Sequence, residues 1–204
     1  MPKCKLVYDV GINDADYVTR KYEELPRING KQNQKLVWIC PFYDKWKGML
    51  KRCYSENYKD KRPTYKDCYV CDEWLTFSNF KSWMETQDWE GKHLDKDLLV
   101  EGNKVYSPTT CIFVRPIINN FIVESNSKRG QWPLGVSFHK QSGKFQARCS
   151  NLSKGSKFLG LFPTPEEASI AYMLYKSKLA EELISQETDN RVVEALKAKF
   201  KLAP

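Results

Sequence analysis

The sequence predicts an α+β protein of two modules, and three observations carry that prediction. Phe42, Trp46, Met49, Leu50 and Cys53 recur at helical spacing, which puts an amphipathic helix early in the chain. Residues 135–140, 144–150 and 157–162 read as three strands separated by Ser142-Gly143 and Lys154-Gly155-Ser156, so they predict a three-stranded antiparallel sheet packed on one helix. Residues 126–130, Asn-Ser-Lys-Arg-Gly, stand between the two modules with the composition of a linker.

Taken in order, residues 1–34 mix charges and hold two turn-like pieces, Gly11-Ile12-Asn13-Asp14 and Pro26-Arg27-Ile28-Asn29-Gly30, so they are expected to form an irregular lead-in. The first helix, within residues 40–54, shows Lys45, Lys47, Lys51 and Arg52 on its polar side, and Pro63 ends the region. A second helix is expected over residues 77–84, where Phe77, Phe80, Trp83 and Met84 form a core stripe and Thr76 or Ser78 supplies the cap. Residues 94–123 break into short apolar pieces, 98–100 and 111–114, punctuated by Gly102-Asn103 and Ser107-Pro108; they read as a hairpin followed by a short helix or extended run.

In the middle strand of the second module, Phe145, Ala147 and Cys149 point one way and Lys144, Gln146, Arg148 and Ser150 the other. The helix that follows opens on Thr164-Pro165-Glu166-Glu167, an N-cap, a favoured first-turn proline and a capping box. Ala168, Ala171, Tyr172, Tyr175 and Leu179 share one of its faces, with alanines where helix and sheet come close. The expected boundaries are a lead-in over 1–34, a first module over 35–124, a second over 125–184 and a helical tail over 185–204. Val193, Leu196 and Phe200 recur at helical spacing in that tail, which either docks on the body or makes a homodimer.

A hydrophobic content of 41% argues against disorder throughout. No apolar run approaches the ~18 residues of a membrane span, and the charged start has no apolar stretch behind it, so a cytoplasmic protein is expected. Seven cysteines, an odd number, then suggest reduced thiols or metal ligands rather than disulfides. Residues 125–165 carry seven basic side chains and no acidic one, out of a formal net charge of +8. Residues 35–62 add eight basic against three acidic, whereas residues 72–101 reverse to eight acidic against three basic. Basic surfaces attract phosphate backbones through counterion release, and an acidic segment between two of them suits a divalent cation held beside a phosphate.

Gly135-Val136, Lys144-Phe145-Gln146-Ala147, Leu159-Gly160-Leu161-Phe162, Thr164-Pro165-Glu166-Glu167-Ala168 and Ala171-Tyr172 resemble the Apetala-two/ethylene-response-factor (ERF) type DNA-binding domain over nearly its whole length. The resemblance implies a three-stranded sheet laid into the DNA major groove. Ser137, His139, Lys144, Gln146, Arg148 and Phe158 would read double-stranded DNA, with Lys154 and Lys157 nearer the phosphates. The chain carries fewer arginines at these positions than the plant domains do.

Upstream, Arg52-Cys53-Tyr54, Val70-Cys71-Asp72-Glu73-Trp74, Phe77-Ser78-Asn79-Phe80, Leu94-Asp95-Lys96-Asp97, Gly102-Asn103, Tyr106-Ser107-Pro108 and Cys111 are similar to phage-encoded HNH-like proteins, several of which carry an Apetala-type domain behind the nuclease-like core. That resemblance implies a ββα metal finger holding Mg2+ or Mn2+ for DNA cleavage, a homing-type endonuclease. Asp95 falls where the first ligand belongs, and Lys96 falls where the general-base histidine is usual. Lysine near its ordinary pKa of ~10.4 is a poor base at neutral pH. Asp97 is then the alternative base or second ligand, with Asn103, Asn119 or Asn120 as amide donors, His93 as a remoter candidate and Thr110 near the place of the last asparagine. If the core is degenerate, the alternative is a DNA-binding regulator or a blocker of a host enzyme. Cys68 and Cys71 have zinc-knuckle spacing, and two of Cys40, Cys53 and Cys111 would complete a Zn2+ site; buried free thiols are the competing reading.

Overall fold

A computed structural model describes residues 6–123, 131–153 and 155–202. The chain divides into two compact units, Met1–Phe113 and Val114–Pro204. The division falls ahead of the expected linker at 126–130, which lies outside the described residues.

The first unit opens with a correction. Residues 6–19 are irregular as expected, though bridged to the core, whereas 20–34, expected to continue that lead-in, belong to two strands and the turn between them. Ile12 makes a parallel bridge to Thr76, donating to the Leu75 carbonyl at 2.8 Å while its own carbonyl accepts from the Phe77 amide at 2.9 Å. Gly11 is pressed against the first helix so closely that a Cβ there would lie 2.4 Å from Leu50 Cδ1. Next, β1 (Arg20–Ile28) and β2 (Lys31–Ile39) form an antiparallel hairpin. Its turn is Asn29-Gly30, both at positive φ (50° and 74°), the conformation that a two-residue hairpin turn with the strands' own twist requires.

The core of this unit sits on α1 (Pro41–Tyr54), which buries Trp46, Met49, Leu50 and Cys53 as the spacing predicted, with Tyr43 rather than half-buried Phe42 completing the stripe. Short α2 (Glu56–Lys61) follows, and a 3-10 turn opens at Pro63. β3 (Tyr69–Val70) leads into α3 (Phe77–Glu85), which buries Phe77, Phe80 and Met84. Thr76 holds the N-cap position of α3 but its side chain makes no cap bond. Asp14 does that work from the N-terminal segment, accepting from the Ser78 amide (2.9 Å) and from its hydroxyl (2.5 Å). Trp46 Nε1 donates to the Trp74 carbonyl at 2.7 Å, so an indole at the centre of the core keeps its hydrogen bond.

Of the two apolar pieces in 94–123, the second forms a strand, with the expected short helix after it, and the first, 98–100, does not. Its place is taken by β4 (His93–Asp95) paired with β6 (Ile112–Val114), while β5 (Val105–Tyr106) runs parallel to β3. The reason is local. Asp95 turns the chain immediately after β4, so residues 98–100 leave the strand direction.

The second unit begins with α4 (Pro116–Ile122). β7 (Val136–His139), β8 (Lys144–Ser150) and β9 (Ser156–Phe162) then form the predicted meander in the order β7-β8-β9. α5 (Pro165–Ser185) covers one face; Thr164 Oγ1 caps it by accepting from the Glu167 amide at 3.2 Å. α6 (Asn190–Phe200) buries Val192 and Leu196, leaves Val193 and Phe200 half-buried, and sets Phe200 5.1 Å from Phe121 between ring centres. Among the described residues no helix is long and apolar enough to cross a membrane.

Candidate functional site

Two places hold the candidate residues, one in each unit. In the second unit the strand register sorts the side chains by face, because residues directly opposite in an antiparallel pair share a side. Val136 lies opposite Ala147, and Phe138 opposite Phe145; with buried Ala147 and Cys149 these define the face under α5. Ser137 opposite Gln146, His139 opposite Lys144, and Arg148 opposite Phe158 define the other face. A bulge after Ala147 leaves Leu159 unpaired and keeps Arg148 level with Phe158.

The outward face is pre-ordered. Gln146 Nε2 donates to Ser137 Oγ at 2.8 Å, and His139 Nδ1 lies 2.9 Å from Ser142 Oγ. The Arg148 guanidinium sits 5.5 Å from the Phe158 ring centre, an approach that holds a long cationic side chain against an aromatic platform. Phe158 is nevertheless 49% exposed, and Leu161, opposite Gln146, is 38% exposed. Leu161 is a member of this face that the sequence reading passed over; its register with Gln146 was the signal.

Lys157 lies on the other side of the sheet from Arg148 and Phe158. It pairs with Cys149, so it belongs to the helix side of the sheet, where its ammonium lies 5.2 Å from the Tyr175 ring centre. Lys154 lies outside the described residues. Gly135 braces the reading face from behind: its carbonyl accepts from the Arg148 amide at 2.8 Å, it has φ +75°, and a Cβ would lie 2.1 Å from Tyr172 Cδ2.

In the first unit, Asp95, Lys96, Asp97 and Asn103 come together in one turn. Asp95 Oδ1 accepts from the amides of Leu98 (2.7 Å) and Asp97 (2.9 Å), leaving Oδ2 as the oxygen with which this carboxylate would meet a cation. Burial raises its pKa, against those two hydrogen bonds. Lys96 is 5% exposed and donates to Asp97 Oδ1 and to the Asn103 carbonyl, the latter at 2.6 Å. Burial alone would push its ammonium down, but the Asp97 carboxylate outweighs it and the pKa is raised. Lys96 is therefore held charged, as a donor, which is the opposite of what a general base needs.

Asn103 spends its amide on the backbone. Nδ2 donates to the carbonyls of Lys96 (2.8 Å) and Val105 (2.6 Å), and Oδ1 accepts from the Val105 amide at 3.1 Å. That is a loop clasp, with no oxygen directed to a metal. Thr110 Oγ1 likewise donates to the Val105 carbonyl at 2.8 Å. His93 is exposed on β4, and Asn119 and Asn120 belong to α4 of the second unit.

Arg52, which the helical pattern put on the polar side of α1, turns inward instead. Its Nε donates to the Tyr106 hydroxyl at 3.0 Å with the guanidinium 5.4 Å from that ring centre, and Lys96 Nζ lies 6.0 Å from the same ring. The signal was its position between Met49 and Cys53, at the edge of the buried stripe.

The zinc expectation meets a geometric obstacle. A two-residue knuckle needs a turn that aims both sulfurs one way. Here the intervening Tyr69 and Val70 are strand β3, so the segment between Cys68 and Cys71 is extended rather than a turn. Burial pushes the Cys53 and Cys111 thiols up to about 12, so they are neutral at physiological pH. Cys40 Sγ lies 3.4 Å from the Tyr17 hydroxyl, and Cys68 Sγ donates to the Thr64 carbonyl at 3.7 Å. Among the described residues no group of three or more His, Cys, Asp or Glu side chains is placed to hold a metal ion, and the described cysteines are free.

No protein-family model, no curated protein and no solved structure matches the chain.

Proposed function

We propose that the protein binds duplex DNA through the outward face of β7–β9. One observation carries this reading: Lys144, Gln146, Arg148, Ser137 and His139 share the uncovered side of a sheet whose segment, residues 125–165, contains no acidic residue. The sheet has the dimensions of elements that enter a major groove. Arg148 suits guanine, Gln146 suits adenine, and exposed Phe158 and Leu161 supply apolar contacts for thymine methyls. The test is fluorescence anisotropy of a labelled duplex at several salt concentrations. A log affinity that falls linearly and steeply with log salt supports a backbone-dominated contact, and a salt-insensitive interaction refutes it.

A second reading, divalent-metal-dependent endonuclease of HNH type, rests on Asp95 Oδ2. Asp95 and Asp97 flank the turn after β4, and a Mg2+ or Mn2+ ion on their carboxylates would stabilise the leaving oxygen of a phosphodiester. The chain's own residues would orient that ion, and Lys96 would supply positive charge rather than take a proton. Incubating supercoiled plasmid with the protein and Mg2+ or Mn2+ decides between cleavage and binding alone. Failure to nick with either ion leaves a DNA-binding protein acting as a regulator or blocker.

A further inference from the structure

We propose that the β1–β2 hairpin is a second DNA contact, laid along a minor groove with Ile28 at its tip set against a base step. The proposal deepens the reading of the chain as a duplex-DNA binder and rests on it. Strands of nine residues make an arm of about 30 Å at ~3.3 Å per residue. Residues 21–30 are all exposed, as are 32 and 34–38. A lone two-stranded hairpin gains little from itself, and an exposed surface holding Tyr22, Leu25, Ile28, Leu36, Val37 and Trp38 calls for a partner.

The root of the arm is fixed to the first unit. The Cys40 amide donates to the Thr19 carbonyl at 2.9 Å, and the Arg20 guanidinium lies 5.5 Å from the Tyr43 ring centre on α1. Beyond that root the chemistry changes. Residues 25–35 carry Arg27, Lys31 and Lys35 with no acidic residue, together with the amides Asn29, Gln32, Asn33 and Gln34. Glu23 stands opposite Lys35 and Glu24 opposite Gln34, and Glu24 accepts from Gln32 Nε2 at 3.1 Å, so the stretch free of carboxylates on both strands is the tip, residues 25–33. Arginine, lysine, asparagine and glutamine are the side chains that read minor-groove acceptors, and an apolar wedge beside them is what unstacks a base step. Ile28, 62% exposed next to the Asn29-Gly30 turn, is that wedge.

Pairing with a second copy along the arm's edges is disfavoured by its own sequence. Pro26 removes an N–H from β1, and the pairing shifts register between Lys21 and Tyr22 and again between Leu25 and Ile28. Prolines and bulges are how edge strands resist strand addition.

The test uses the full chain and a duplex of about 30 base pairs with a dye at each end. Arg27→Ala with Lys35→Ala is expected to weaken binding about tenfold and to reduce the salt slope by about two contacts. Ile28→Ala is expected to keep most of the affinity while reducing the bend read as energy transfer between the ends. Lys144→Ala with Arg148→Ala is measured in parallel. If both pairs weaken binding, each surface contributes. If only the sheet variants weaken it, or if Ile28→Ala leaves a bend unchanged, the arm proposal is overturned while the sheet reading stands. If only the arm variants matter, the sheet reading fails instead. A loss of self-association in the arm variants with unaltered DNA binding, by sedimentation, would assign the arm to a second copy and overturn the proposal.

Discussion

Gly135→Ala isolates the coupling between core packing and the proposed reading face. A Cβ at this position meets Tyr172 Cδ2 at 2.1 Å, Tyr172 Cε2 at 2.5 Å and the Arg148 carbonyl oxygen at 2.7 Å. Tyr172 is buried against the sheet and the Arg148 carbonyl is backbone, so neither yields cheaply. The positive φ costs alanine ~1–2 kcal/mol, and the overlap adds ~1–3 kcal/mol of overpacking, giving a loss of about 2–5 kcal/mol. Gly143→Ala is the control. It shares a positive φ, +66°, but a Cβ there has nothing within 4 Å, so only the conformational part, ~1–2 kcal/mol, applies. Urea unfolding followed by circular dichroism gives both values, and hydrogen exchange over residues 144–150 locates the loss. Because the Gly135 carbonyl holds the Arg148 amide, DNA affinity should fall with Gly135→Ala under conditions where the variant remains folded. Equal losses in the two variants, or a loss below ~0.5 kcal/mol at Gly135, would refute the argument that the close approach of α5 sets the position of Arg148.

Arg148→Ala should alter sequence preference as well as affinity, whereas Lys157→Ala should change neither by more than about twofold, since Lys157 faces Tyr175; a competition series over randomised duplexes reads both. Asn103→Ala removes three bonds between side chain and backbone and should cost ~2–3 kcal/mol in urea unfolding, with Asp95 left in place. Asp95→Asn separates cap from ligand: the amide oxygen still accepts from Asp97 and Leu98, so stability should change little at neutral pH, while any Mg2+-dependent nicking should disappear. The same variant tests the titration. Asp95 takes its proton in the folded state above the ordinary 3.8, so its contribution to stability is full below that value and is lost as pH rises through the folded value. Thermal melts of Asp95→Asn should lack that part of the acid-side slope, and an unchanged slope would mean that Asp95 titrates normally.

Periodicity carried most of the second unit because each of its elements agrees with its local sequence. Thr164-Pro165-Glu166-Glu167 holds an N-cap, a first-turn proline and a capping-box glutamate within four residues, and Phe145, Ala147 and Cys149 alternate with Lys144, Gln146, Arg148 and Ser150 as a half-covered strand must. Lys157 was grouped with its neighbour Phe158 by the resemblance, although adjacent strand residues face opposite ways, and the bulge at Leu159 decides which of the two faces outward. A single extra residue inverts the facing of everything beyond it, and no side-chain pattern within a seven-residue strand marks where it falls. The β1–β2 arm was missed for a different reason. Asn29-Gly30 is a strong hairpin turn, but both flanks expose residues on both faces, so no apolar alternation announced the strands.

The Asp95–Asp97 turn shows why a motif resemblance and a fold answer different questions. A carboxylate after a strand can accept amide hydrogens, bind a cation or take up a proton, and all three uses ask for the same residue at the same place. In the fold both amide hydrogens go to Oδ1, which makes Asp95 a turn cap without consuming its second oxygen. Lys96 is decided more sharply, because its role depends on neighbours remote in sequence as well as adjacent ones. A buried lysine without a counter-ion would have lost its proton and become a base; Asp97 and the Asn103 carbonyl hold that proton in place. Lys96→His would therefore put a weaker base in a pocket built for a charged donor. It should lower stability through the lost Asn103 contact, and it should raise nicking only if the Asp97 carboxylate then turns to orient the imidazole. A variant as stable as the parent would show that the clasp does not depend on the ammonium and would remove the structural reason for a lysine at this position.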